Sequence, residues 1–193
     1  WNSPINQAAR GVAPALAAGN AVVIKPAEQS CLTTFELALI CIEAGLPAEA
    51  FNVVTGFGEE AGQALSSHPL VRKINFTGSL ETGRLVMGEA AKRIVPVSLE
   101  LGGKSPFVVF DDADLDLAAK AASEQVVRNT GQICSAGMRH LIHRSVLDQF
   151  AKKLVANLTH VTIGPGIENP KMGPLVSQEQ LDRVLAYIDI GKQ

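Results

Sequence analysis

Two side chains in this sequence have the makings of covalent chemistry at a carbonyl carbon. Cys134 stands in the run Asn129-Thr-Gly-Gln-Ile-Cys-Ser, and Glu100 in the run Leu99-Glu-Leu-Gly-Gly-Lys-Ser-Pro. A thiol in a glycine-containing polar turn can be an exposed nucleophile, whereas most free cysteines act as small buried hydrophobes. A carboxylate between Leu99 and Leu101 is expected to be poorly solvated, the setting that turns a carboxyl group into a useful general base. A thiol to attack and a base to activate water make a coherent pair.

Three further groups could hold a ligand. Phe76-Thr-Gly-Ser-Leu-Glu-Thr-Gly83 follows a predicted strand and opens a predicted helix. Free N–H groups at a helix start, an open backbone at Gly78 and the Ser79 hydroxyl suit a phosphate, although a plain serine cap would look the same. Lys25-Pro-Ala-Glu28 falls at the carboxyl end of the first predicted strand, where open α/β sheets bind ligands. Lysine there can meet a ribose hydroxyl or a phosphate. An acid there accepts hydrogen bonds from a ribose diol and repels a 2′-phosphate. Gly56-Phe-Gly-Glu-Glu-Ala-Gly62 resembles a dinucleotide fingerprint with one residue too many, and Glu59 and Glu60 oppose a pyrophosphate. An Asn2 amide could stabilise an oxyanion. Cys31 and Cys41 are expected in the core. No Cys/His cluster has metal-ligand spacing, so no metal is expected.

The elements that must position these groups alternate. Strands are predicted at 20–25, 51–55, 71–76 and 94–100. Helices are predicted from Leu32 through Ile42, over 59–66 and over 79–91. The alternation implies a parallel sheet with helices on both faces. After Gly102-Gly103 it resumes. Strands are expected at 106–110 and 138–143, a helix at 115–128 behind the acidic run Asp111-Asp-Ala-Asp, and a helix at 146–157 capped by Ser145. The last segment puts Leu181, Val184, Leu185 and Ile188 on one helical face. The fold class is therefore α/β, with a domain change near Gly102-Gly103.

With 193 residues, 47% hydrophobic content and a net charge of −2, the chain can build a core but shows no basic surface for nucleic acid or an anionic membrane. The uncharged stretch from Gly11 to Ile24 is too short to cross a bilayer. Three cysteines without a visible signal peptide favour a reduced, cytoplasmic setting. A first residue of Trp and a stop behind an apolar helical stripe read as the interior piece of a longer protein.

Several runs, in order, resemble the aldehyde dehydrogenase superfamily. They are Trp-Asn-Ser-Pro at 1–4, Lys-Pro-Ala-Glu-Gln at 25–29, Phe-Thr-Gly-Ser at 76–79, Leu-Glu-Leu-Gly-Gly-Lys at 99–104, Gly-Gln-Ile-Cys at 131–134 and Met-Gly-Pro-Leu at 172–175. The resemblance covers essentially the whole chain. It implies a Rossmann-like NAD-binding domain over 1–101, lacking its amino-terminal part, followed by the start of an α/β catalytic domain over 102–193. It implies oxidation of a small-molecule aldehyde to the acid, with Cys134 as nucleophile, Asn2 and the Cys134 N–H as oxyanion hole, and Glu100 as the base that activates water. Lys25 and Glu28 would hold the adenosine ribose. Gly78 and Ser79 would approach the pyrophosphate. Gly58, Thr82 and Gly83 would lie near the adenosine end, and Leu101 near the nicotinamide. Glu28 implies NAD over NADP. The full-length parent would be a homo-oligomer, and the isolated piece is expected to be inactive. Alternatives are a CoA-acylating dehydrogenase, against which Glu100 speaks, and a non-catalytic dinucleotide-binding fragment.

Overall fold

The computed structural model describes every residue from Trp1 to Gln193 and separates into two compact units, Trp1–Leu101 and Gly102–Gln193. Three strand–helix–strand units supply the architecture, each pairing its two strands in parallel: β1 (Val22–Ile24) with β2 (Phe51–Val53), β3 (Ile74–Gly78) with β4 (Val97–Leu101), and β5 (Ser105–Val109) with β6 (Gly137–Ile142). Parallel neighbours need a long crossover. Here α2 (Leu32–Glu43), α4 (Leu80–Arg93) and α5 (Leu115–Val127) are those crossovers. The fold is thus α/β with parallel strands.

In the first unit, α1 (Pro4–Ala17) and α2 pack over β1 and β2. Val12, Ala38 and Phe51 are buried together, with Leu16, Val22, Ile24, Leu37, Cys41 and Val53 around them. Sequence patterning did not mark α1. Its first residue is a proline, its N-cap Ser3 is left-handed and makes no side-chain cap, and Pro14 lies inside it. The usual start signals are absent, and an internal proline argues against a helix.

The third and fourth strands begin three residues later than the patterning predicts. Residues 68–73 are held as a loop because the Arg93 guanidinium donates to the carbonyls of Ser66, His68 and Val71 at 2.6, 2.7 and 2.8 Å. Ile94 closes α4 in the left-handed region, φ 55°, so the backbone becomes extended only after it. The predicted helix over 59–66 is a wide turn at Gly58–Gly62 followed by the short helix α3 (Gln63–Ser67).

In the second unit, Val109, Ala119, Ala122 and Phe150 form the core, joining β5, α5 and α6 (Leu147–Thr159). The β5–β6 register slips between Ser105 and Pro106. Proline has no N–H to give to a ladder, so an irregularity falls there naturally. Asp114 caps α5, accepting from the N–H groups of Asp116 and Leu117 at 3.0 and 3.1 Å. Ser145 does not cap α6 as expected. It lies in a tight turn, Arg144–Val146, and is hydrogen-bonded with His143 Nδ1 at 2.8 Å. The last helix, α7 (Gln178–Lys192), is capped by Ser177 and buries none of its residues. No helix is long and apolar enough to cross a membrane.

Candidate active site

The carboxyl ends of β1 and β2 bring together the first group of predicted residues. Lys25 follows β1 directly, and its side chain is only 15% exposed. Its ammonium donates to Glu28 Oε1 at 2.9 Å, to the Pro26 carbonyl at 2.8 Å and to the Gly56 carbonyl at 3.1 Å. All three donors are used, so the lysine is locked rather than waving in solvent. Gly56, φ 143°, adopts a conformation open to glycine, and a Cβ on it would come within 2.8 Å of the Ala61 Cβ. Gly58 faces open space.

Partial burial pushes the Glu28 carboxyl up. The Lys25 hydrogen bond, a backbone N–H and the Lys25 charge together outweigh that, leaving it below the ordinary carboxylate value. A depressed folded-state value means the pair stabilises the fold above the unfolded value and ceases to do so as pH falls through the folded one. Titration of the Glu28 carboxyl by 13C NMR should therefore give a midpoint below that of a model glutamate, and Lys25→Met should raise it. An unmoved midpoint in the variant would refute the pairing.

The carboxyl ends of β3 and β4 gather the second group. Gly78 and Leu101 are register partners, as are Thr77 and Glu100. The Leu101 side chain reaches to 2.7 Å from where a Cβ on Gly83 would sit, so glycine at 83 admits it. Ser79 serves as the cap of α4: its hydroxyl accepts from the Thr82 N–H at 3.1 Å and lies 3.2 Å from the Thr82 hydroxyl. The hydroxyl foreseen for a phosphate is thus committed to its own helix, while the glycine-flanked start of that helix remains the feature of interest.

Glu100 corrects one expectation. It is not desolvated: its side chain is 52% exposed, and Arg10 Nη2 donates to its Oε1 at 3.0 Å. Alternation along a strand explains why. Leu99 and Leu101 point to one face of β4 and Glu100 to the other, so leucines that flank it in sequence do not surround it in space. Arg10 comes from α1, ninety residues earlier, and nothing local in the sequence flags it. A close approach of α1 to β3 delivers it, since a Cβ on Gly11 would lie 3.3 Å from Asn75 Nδ2. Asn2, just before α1, is half-buried, and its Oδ1 accepts from the Ser3 hydroxyl at 3.5 Å.

Cys134 belongs to the second unit and is an exposed free thiol. The backbone leading to it is unusual. Asn129, Thr130 and Gly131 are successive left-handed residues with φ of 49°, 58° and 71°. For the two non-glycines this conformation costs roughly 1–2 kcal/mol each, so surrounding contacts must hold it. Gln132 donates through Nε2 to the Asn129 carbonyl at 3.1 Å, and Thr130 donates to the Gly173 carbonyl at 3.0 Å. After Cys134 the chain enters the core at Ala136, which is fully buried, and starts β6 at Gly137. Sequence reasoning noted Met172-Gly-Pro-Leu175 without giving it a task. The structure places it beside this loop, where the Gly173 and Pro174 carbonyls meet the Thr130 hydroxyl.

The first unit thus carries a locked lysine–carboxylate pair at a parallel strand edge, and the second an exposed thiol on a built loop. The chain belongs to the aldehyde dehydrogenase family, whose model matches residues 1–193. It is 48% identical over 194 residues to hydroxyisobutyraldehyde dehydrogenase of Mycolicibacterium austroafricanum, covering 100% of this chain and 38% of that protein. It is 49% identical over 193 residues to a chloroplastic aminoaldehyde dehydrogenase of Arabidopsis thaliana, again covering 100% of this chain and 38% of the other. The NAD+ complex of an aldehyde dehydrogenase from Bacillus cereus superposes with a TM-score of 0.95 at 43% identity, covering 100% of this chain and 39% of that one. The chain therefore spans well under half the length of the relatives it matches.

Proposed function

We propose that the full-length protein oxidises an aldehyde to its carboxylic acid with NAD, residues 1–101 serving as part of the cofactor domain and 102–193 as the beginning of the catalytic domain. The observation that carries this reading is the exposed Cys134 thiol on a loop in which the Thr130 and Gln132 side chains are hydrogen-bonded. The Cys134 sulfur attacks the aldehyde carbon. The Asn2 amide and the Cys134 N–H receive the developing oxyanion of the thiohemiacetal. NAD, when bound, supplies the acceptor for the hydride that leaves this adduct. The resulting thioester on Cys134 is hydrolysed by water, whose proton goes to Glu100, and the acid departs as the thiol is restored.

The residues present fit such a cofactor. The Glu28 carboxylate, held at 2.9 Å by the Lys25 ammonium, can accept from a ribose diol, and no side chain at Gly58 fills the space nearby. The depressed Glu28 carboxyl is an anion at neutral pH, which opposes a 2′-phosphate and favours NAD over NADP. In this proposal Gly78 and Ser79, at the start of α4, approach the pyrophosphate, Gly58, Thr82 and Gly83 lie near the adenosine end, and Leu101 lies toward the nicotinamide. The setting proposed is cytoplasmic, with the parent a homo-oligomer that engages neither nucleic acid nor membrane.

The nearest alternative resolves the thioester with CoA. Glu100 at the carboxyl end of β4, exposed enough to meet water, favours hydrolysis. NADH formation by the protein expressed from its complete coding sequence, measured over an aldehyde panel with and without CoA, tests the proposal. Turnover is expected without CoA. Turnover that requires CoA would assign the acylating class instead.

A further inference from the structure

The segment 173–176 touches the Cys134 loop through two side chains, and both contacts are polar. Gln132 accepts from the Val176 N–H through Oε1 at 3.1 Å while its Nε2 donates to the Asn129 carbonyl at 3.1 Å. Thr130 donates to the Gly173 carbonyl at 3.0 Å and lies 3.3 Å from the Pro174 carbonyl. One amide side chain thus closes the turn on itself and fastens it to the strap, and one hydroxyl makes a second fastening. The strap is anchored in turn. Met172 donates to the Thr162 carbonyl at 3.0 Å, Gly164 donates to the Met172 carbonyl at 3.1 Å, and the Lys171 N–H is taken by the Thr162 hydroxyl at 3.0 Å. Ile163 and Met172 form a parallel bridge there.

Left-handed backbone at three successive positions does not hold itself. The loop has no ladder partner of its own between α5 and β6. What fixes the direction in which it presents Cys134 is this pair of side-chain clamps. We infer that Thr130 and Gln132 are positioning residues for the Cys134 nucleophile, acting by fastening its loop to the strap at Gly173–Val176. The inference rests on the proposed role of Cys134. The clamps act on where the sulfur is placed, not on whether the unit folds, because the core around Val109, Ala119, Ala122 and Phe150 lies elsewhere.

The test uses the protein expressed from its complete coding sequence, with Thr130→Val, Thr130→Ser and Gln132→Met. Valine keeps the volume of threonine and removes the hydroxyl. Serine keeps the hydroxyl. The rate of the first NADH burst at saturating aldehyde should fall roughly tenfold to a hundredfold in Thr130→Val and in Gln132→Met, the range that misplacing a reacting atom produces. The KM for NAD should stay within about twofold and Thr130→Ser should recover most of the burst rate, effects that loss of general stability would not separate. Alkylation of Cys134 by iodoacetamide, followed by mass spectrometry, should change rate in the same order without any catalysis. An unchanged burst in Thr130→Val, or equal damage from serine and valine, overturns the inference. Where a variant does not fold, hydrogen exchange on the wild-type decides: the Val176 amide should be protected, and free exchange overturns the clamp. If Cys134→Ala retained turnover, the nucleophile assignment would fall, while alkylation and exchange would still read the clamp.

Discussion

Cys134→Ala is expected to abolish aldehyde-dependent NADH formation by the complete protein, with a loss of about ten-thousandfold or more, in the range seen when a covalent nucleophile is deleted. The side chain is exposed at the tip of its loop, so alanine removes a sulfur without opening a core cavity, and the melting temperature should hardly move. That combination separates a chemical role from a structural one. A buried structural cysteine would do the reverse, costing stability and leaving rate. Binding of NAD, followed by quenching of protein fluorescence or by calorimetry, should persist, because Lys25 and Glu28 lie in the other unit. Residual turnover within tenfold of wild-type would end the nucleophile assignment. Retained turnover together with lost NAD binding would be stranger still and would point to a different site altogether.

Glu100→Gln should split the reaction in two. The amide keeps the shape and still accepts from Arg10, but it cannot take a proton from water. The burst of NADH should survive at near its normal rate, and the steady state after it should slow by roughly a hundredfold to ten-thousandfold, the usual worth of a positioned base. Thioester would accumulate on Cys134 and show in intact mass spectra as an acyl adduct. Added hydroxylamine, which attacks thioesters without needing a base, should restore part of the rate. If burst and steady state fall together, Glu100 acts before the thioester forms, and its assigned role is wrong. The Arg10 pair gives this prediction its structural footing: the guanidinium at 3.0 Å holds the carboxylate in place, and the exposure of the carboxylate leaves it open to water.

The fold was legible where local chemistry decides the structure. Ser79 and Asp114 each stand before an apolar-patterned stretch, and each takes N–H groups of the helix it opens. The same holds for the strands that end at Gly78 and Leu101, whose glycine and leucine patterns mark the parallel edge. It failed where distant residues decide. Arg93 gathers three carbonyls from the segment before β3 and keeps it out of the ladder, which no window around Val71 could show. Helix α1 begins without a cap and contains Pro14, so it owes its existence to packing Val12 over Phe51 and Ala38. At the candidate site, Cys134 and Glu100 could be proposed from their runs alone. The surroundings of Glu100 were not, because neighbours in sequence along a strand are on opposite faces, and its actual partner arrives from ninety positions away.

Gly11 sets a distance for a residue that it does not touch. A single added carbon there would stand 3.3 Å from Asn75 Nδ2, close enough that α1 or the asparagine must yield by a few tenths of an ångström. Arg10 is the preceding residue of the same helix, and its guanidinium reaches across to a carboxylate on β4. The seating depth of α1 therefore works as a gauge: a bare backbone at one position bears on how far the arginine just before it can lean. The tether between Arg10 and Glu100 thus depends in part on a residue with no functional group at all.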